Sequence, residues 1–336
     1  MIRKRILYIL IFISPIVLIL LTLFIGRYPI SFSEIPKVLA YPFLKNKSSI
    51  QETHYTIIWS IRMPRAILAG LVGASLAVSG AAFQGLFFNP LVDSGMLGVS
   101  SGAGFGAALA ILLFNRSSIY IYIFALFFGA VAVLLSYIIG RTYNTTPTIM
   151  LVLGGTVVSS IFSSLISLTK YVADPYEKLP AITFWLLGSF ASVSRQDLIV
   201  GLPPMTIGIL GLILIRWRIN VLSMGDREAH TLGINSNLNK LIAIGFATLA
   251  TAGAVCVSGT IGWIGLIIPH IGRMVAGNDN KKLIPISCIL GASFLIIIDN
   301  IARTLTSGEI PIGILTSMLG GPFFIYLLKR TKGGSW

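Results

Sequence analysis

From Ile6 to Gly26 the chain runs without a single charged side chain, and nine further apolar stretches of similar character follow before residue 330. A stretch of about 20 such residues matches the hydrocarbon thickness of a bilayer when helical. The expected spans are 6–26, 60–84, 92–114, 118–140 and 148–170 in the first half, then 196–216, 238–258, 261–276, 282–304 and 311–329. In lipid, backbone N–H and C=O groups must be satisfied within the segment, so long apolar runs of this kind become helices. The fold class read from the chain is therefore an all-α integral membrane protein with about ten transmembrane helices. Composition agrees: 55% of residues are hydrophobic, 11% are charged, and the mean hydropathy is +0.89. No polar or Pro/Gly/Ser-rich linker divides residues 1–336, so they read as one membrane domain. The first span follows Arg3, Lys4 and Arg5, but its apolar run is too long for a secretory signal and no small-residue cleavage site follows it.

A signature recurs within this pattern. Val78-Ser79-Gly80 is followed ten residues after its glycine by Pro90, and Val257-Ser258-Gly259 by Pro269 at the same distance. The two copies define repeats at about 60–170 and 238–330. An odd number of spans separates them, so equivalent helices run in opposite directions and the repeat is inverted. Pro90 and Pro269 are read as helix breaks. Irregular backbone at membrane depth survives only where protein or a water-filled cavity satisfies it, and paired breaks in two halves are the sequence sign of a transporter.

An even number of spans puts both termini on one side. The basic N-terminus and the tail residues Lys329, Arg330 and Lys332 make that side cytoplasmic. The net charge of +14 suits a multi-pass protein of a bacterial inner membrane with anionic lipid, and no soluble basic domain exists to carry a nucleic acid. Arg62 and Arg65 breach the positive-inside pattern on the outer side.

Catalysis finds little support. His54, His230 and His270 are scattered, Cys256 and Cys288 lie singly in apolar spans, and neither pattern has metal-ligand spacing. Ser79 and Ser258 occupy equivalent repeat positions, which favours packing over a protease nucleophile; that reading would need Ser258 beside His270. No Gly-x-x-x-x-Gly-Lys-Ser/Thr is present, so the chain alone has no loop to cradle ATP. Asp299 is the sole acid well inside a span and could serve a gradient-driven carrier, although Arg303 one turn on is its expected ion-pair partner. Gly98, Gly102 and Gly106 share one helical face and are read as a packing stripe.

Between spans six and seven, residues 220–235 form the most distinctive polar segment. Leu222, Ala229 and Leu232 fall near one face of a short helix beginning after Ser223, with Asp226 at its positive end and Gly233 as C-cap.

Six motifs in order resemble the permease subunits of type II ABC importers that take up iron-siderophore complexes, haem and cobalamin. They are Arg62-Met63-Pro64-Arg65; Gly80-Ala81-Ala82-Phe83-Gln84 leading to Asn89-Pro90-Leu91; Leu97 to Gly104; Met224 to Gly233; Gly262 to Arg273; and Gly308 to Gly313. The resemblance implies a ten-helix, non-catalytic subunit working as a homodimer with the passage on the dimer axis. It implies two cytoplasmic ATPases that use ATP and Mg, an extracytoplasmic binding protein, and no cofactor or metal on this chain. Binding-protein docking falls on Arg62, Arg65 and Arg303, and a cytoplasmic gate on Asn89, Leu91 and Thr148, the last set by the register of Asn144-Thr145-Thr146-Pro147-Thr148. Coupling to the ATPase falls on Gly225, Asp226, Arg227, Glu228, Ala229, Leu232 and Gly233. Arg227 stands where relatives have a second acid, His230 where they have arginine, and Trp263 where phenylalanine is usual. Siderophore, haem or cobalamin is the expected cargo, with a molybdate- or tungstate-type oxyanion as the alternative.

Overall fold

The computed structural model describes residues 2–26, 28–31, 33–41, 51–114, 118–141, 147–306 and 308–330. Every helix and strand assignment among them is helical. In chain order they are α1 (Ile2–Phe24), α2 (Ile35–Ala40), α3 (Glu52–Tyr55), a π-helical stretch (Thr56–Arg62), α4 (Met63–Leu86), α5 (Val99–Phe114), α6 (Ser118–Gly140) and α7 (Thr148–Val172). There follow α8 (Lys178–Leu186), α9 (Arg195–Leu222), α10 (Asp226–Thr231), α11 (Ser236–Ser258), α12 (Ile264–Ala276), α13 (Asn280–Thr304) and α14 (Ile312–Arg330). Among the described residues six helices are long and apolar enough to cross a membrane: Glu52–Leu86, Ile119–Gly140, Thr148–Val172, Arg195–Leu222, Ser236–Ser258 and Asn280–Thr304. Four shorter apolar helices, Tyr8–Phe24, Val99–Phe114, Ile264–Ala276 and Ile312–Tyr326, occupy the positions of the other expected spans.

Local chemistry starts several of these helices. Ser194 and Asp197 form a reciprocal capping box at the head of α9. The Asn235 side chain accepts from Leu238 N at the head of α11, and that of Asp279 from Lys281 N at the head of α13.

Helix α4 is the central post. From Pro64 to Leu86 nearly all its residues are buried, and α9, α11, α12 and α13 pack around it. Small residues make this closeness attainable: a Cβ on Gly73 would collide with the Gly291 carbonyl of α13, and one on Gly80 with the Gly265 carbonyl of α12. Two members of the expected glycine stripe behave the same way, since a Cβ on Gly102 or Gly106 would strike the α6 carbonyls of Phe128 or Phe124; the third, Gly98 (φ 84°), precedes α5 and does not share its face. By contrast α6, α7 and α9 present most of their surface outward, with apolar side chains such as Phe127, Ile161 and Leu214 exposed. That is the arrangement of a membrane protein, whose outer layer meets lipid.

Three sequence expectations are revised. The span expected to begin at 92 begins at Val99, because residues 87–98 are irregular. Span two extends at its N-terminal end through α3 and the π-helical stretch, and α8 is an additional helix. Pro269 is not a break: it lies inside α12, and the irregular segment is 259–263, where Gly259 (φ 70°) and Trp263 (φ 71°) take left-handed conformations. The two Val-Ser-Gly copies also sit differently, the first within α4 and the second at the end of α11. Lys332 and the Asn144-Thr145-Thr146 register lie outside the described residues.

Candidate functional site

At one end of the bundle, expected to face outward, the head of α4 meets the end of α13. Arg65 Nε donates to both Asp299 oxygens (3.0 and 3.1 Å) and Nη2 to Oδ1 (2.7 Å), while Nη1 and Nη2 reach Glu309 at 3.0 and 2.9 Å. Two carboxylates thus clamp one guanidinium in a planar, charge-assisted array. This corrects the expected Asp299–Arg303 pair: Asp299 accepts across helices from Arg65, and Arg303 Nη2 donates to Thr22 O (3.0 Å) and Asn300 Oδ1 (2.6 Å). Arg62 donates to Leu23 O and Tyr28 O, both at 2.5 Å, and so closes the C-terminal end of α1. The three arginines assigned to docking are 3, 6 and 7% exposed for Arg62, Arg65 and Arg303, so their side chains are held within the fold rather than projecting from it. Arg195, exposed and anchored on Trp59 O (3.1 and 3.2 Å), is an outward cation that motif reading passed over.

Two cavities adjoin the irregular segments. One of about 720 Å³ is lined by Tyr122, Trp185, Asp197, Ser258 and Glu309 among others. The other, about 640 Å³, brings both breaks together with α8 and α14, and its polar lining includes Asp93, Ser94, Ser100, Thr260 and Ser317. Asn89 Oδ1 accepts from Leu91 N (2.9 Å), folding these two expected gate residues and Pro90 into one turn, with Leu91 exposed. Thr148 is the first residue of α7 and is half-buried. The protease arrangement has no counterpart. Ser258 Oγ is engaged with Ala254 O (2.8 Å) and Gly259 O (3.0 Å), whereas His270 meets the Phe323 ring edge-on.

Between α9 and α11, α10 forms as expected, starting two residues later. Gly225 (φ 120°) is its N-cap and Gly233 (φ 74°) follows its end. Asp226 pairs with Lys240 of α11 at 2.8 Å, and Ala229 is fully buried beneath the helix, so the short element is pinned at both levels. Arg227, Glu228, His230 and Leu232 are exposed. Of the three residues expected near one face, Leu222 and Ala229 are buried and Leu232 is 57% exposed.

At the other end of α4 from Arg65 lies a contact that spacing rules do not disclose. The amide of Gln84 bonds to Val92 O (3.0 Å), Gly265 O (3.1 Å) and Arg273 Nη2 (2.5 Å). Its only sequence signal is membership of the Gly80–Gln84 motif.

Comparison with known proteins follows the same lines. Residues 13–330 match the FecCD transport family. The molybdate import system permease protein MolB of Haemophilus influenzae is 38% identical over 94% of this chain and 92% of its own. A Helicobacter pylori protein named "Probable iron chelatin transport system permease protein" is 44% identical over 82% of this chain and 83% of its own. Among solved structures, an ABC transporter assigned to the metal-chelate type, in an inward-facing conformation, superposes with a TM-score of 0.84 at 36% identity, covering 95% of this chain and 97% of that one.

Proposed function

Because the chain belongs to the FecCD transport family, we propose that it is the membrane permease subunit of an ATP-driven importer and passes an iron chelate inward by alternating access. Two copies form the passage on their common axis, two cytoplasmic ATPases dock beneath, and an extracytoplasmic binding protein delivers cargo from above. The internal repeat supplies the two halves that change packing. The chain itself makes and breaks no covalent bond.

The observation that carries this reading is α10. A pinned six-residue helix offering Glu228 and Leu232 outward is a rigid knob suited to receive force from a partner. A gradient-driven carrier is disfavoured, because its one candidate acid is already clamped by Arg65. An oxyanion cargo is the second reading, favoured by the MolB likeness over nearly the whole chain.

Two experiments test these statements. Leu232→Trp in vesicles holding the assembled transporter should leave ATP hydrolysis running while uptake falls; undiminished uptake per ATP would remove α10 from the power path. A thermal-shift screen of the cognate binding protein against ferric siderophores, haem, cobalamin and molybdate decides cargo, and stabilisation by molybdate alone would replace the chelate reading.

A further inference from the structure

The first break and α12, the helix that follows the second, meet on one buried amide. Gln84 is 3% exposed, near the C-terminal end of α4. Its Nε2 donates to Val92 O in the first irregular segment and to Gly265 O in the first turn of α12. Gly265 lies four residues before Pro269, which has no N–H, so the Gly265 carbonyl lacks its helical donor. Gln84 replaces it. At the other end of the amide, Oε1 accepts from Arg273 Nη2, nine residues after Ile264, the first of α12.

The surroundings hold this crossing tightly. A Cβ on Gly80 would collide with Gly265, and one on Gly265 would come within 2.9 Å of Ser94 N in the first break. Phe88 (φ 51°) and Trp263 (φ 71°) are the non-glycine residues with positive φ among the described residues, and each break contains one. Bulky side chains persist in that conformation only where neighbours over-determine it, and such residues cluster at switch regions. Arg273 also keeps a buried Nη1 without a hydrogen-bond partner among the described residues, a donor available to a second arrangement of the same segments.

We propose that Gln84 is a positioning residue for transport, a latch that ties the segment bearing Asn89 and Leu91 to α12 so that the two breaks rearrange together. The inference rests on the permease reading above. Without the latch, the gate turn moves independently of α12, and nucleotide turnover no longer controls access from the cytoplasm.

The test uses the transporter assembled with its ATPase and binding protein in vesicles. Cys256 and Cys288 are replaced by alanine, and L91C carries a reaction with a water-soluble maleimide as the readout. With Gln84 intact, labelling changes on trapping the ATPase with ATP and vanadate. Gln84→Leu, which removes all three bonds, should abolish that change and raise hydrolysis without binding protein about tenfold, the factor that accompanies a 1.4 kcal/mol difference. Gln84→Glu keeps the shape and the Arg273 contact but loses both donors, and should act in the same direction; it decides the matter if Gln84→Leu does not fold. A purely structural role would lower hydrolysis and leave the nucleotide response in place. A nucleotide response preserved in Gln84→Glu overturns the latch while sparing the permease reading. Absence of any response with Gln84 intact overturns both.

Discussion

Removing the negative charge of Asp299 while keeping its shape tests how the outer end of the bundle is held. Arg65 is a buried cation with five hydrogen bonds to two carboxylates of unequal exposure: the Asp299 side chain is 1% accessible and that of Glu309 24%. Breaking a buried pair by removing one partner costs about 3–5 kcal/mol, because an uncompensated charge is left behind. In Asp299→Asn the remaining carboxylate of Glu309 still faces Arg65, so the lower end, about 3 kcal/mol, is expected. Glu309→Gln should cost about 1 kcal/mol, since water reaches that side chain and screens the loss. Unfolding in mixed detergent micelles, followed by tryptophan fluorescence, reads both values. The double variant Arg65→Leu/Asp299→Leu should regain most of the loss of either single change, as apolar replacement of a whole buried pair is often neutral. Equal losses for the two carboxylate variants, or a larger one for Glu309→Gln, would refute the reasoning that burial sets the worth of each partner.

Other outcomes follow from the same geometry. Gly80→Ala should destabilise by about 1–3 kcal/mol through overpacking against Gly265, measured by the same unfolding assay. Asp226→Asn should loosen α10 by about 1 kcal/mol, because the exposed half of its pair with Lys240 limits the loss; faster amide exchange over 226–231 with unchanged exchange in α11 is the readout. A membrane-permeant maleimide should modify Cys288, which borders an apolar crevice with Pro15 and Ile289, well before the fully buried Cys256. A water-soluble maleimide should reach M224C from the cytoplasmic side only; labelling from outside would invert the proposed topology.

The helices were legible where one force dominates. Every expected apolar stretch overlaps an apolar helix, because in lipid a long uncharged run has no competing way to satisfy its backbone. The short α10 was also readable, since Gly225, Asp226 and Gly233 carry local cap chemistry. Breaks were harder. Proline marked Pro269 as an interruption, yet a side chain 181 residues away in sequence supplies the donor to the carbonyl that proline leaves free, so the helix continues. The arginines show the same limit: Arg65 finds its partners 234 and 244 residues on, and no periodicity encodes such pairs. Helical spacing favoured Arg303 for Asp299, but a bidentate approach from α4 is geometrically better than a one-turn neighbour. Periodicity set Leu232 on the face of Leu222 and Ala229, whereas α10 ends one residue earlier and leaves it exposed.

Energy supply is where the account is most exposed. Vesicles containing this permease, its ATPase and an externally added, cargo-loaded binding protein should accumulate cargo only when ATP is enclosed with the ATPase, with no dependence on a proton or sodium gradient. Accumulation driven by either gradient in vesicles lacking the ATPase would contradict it.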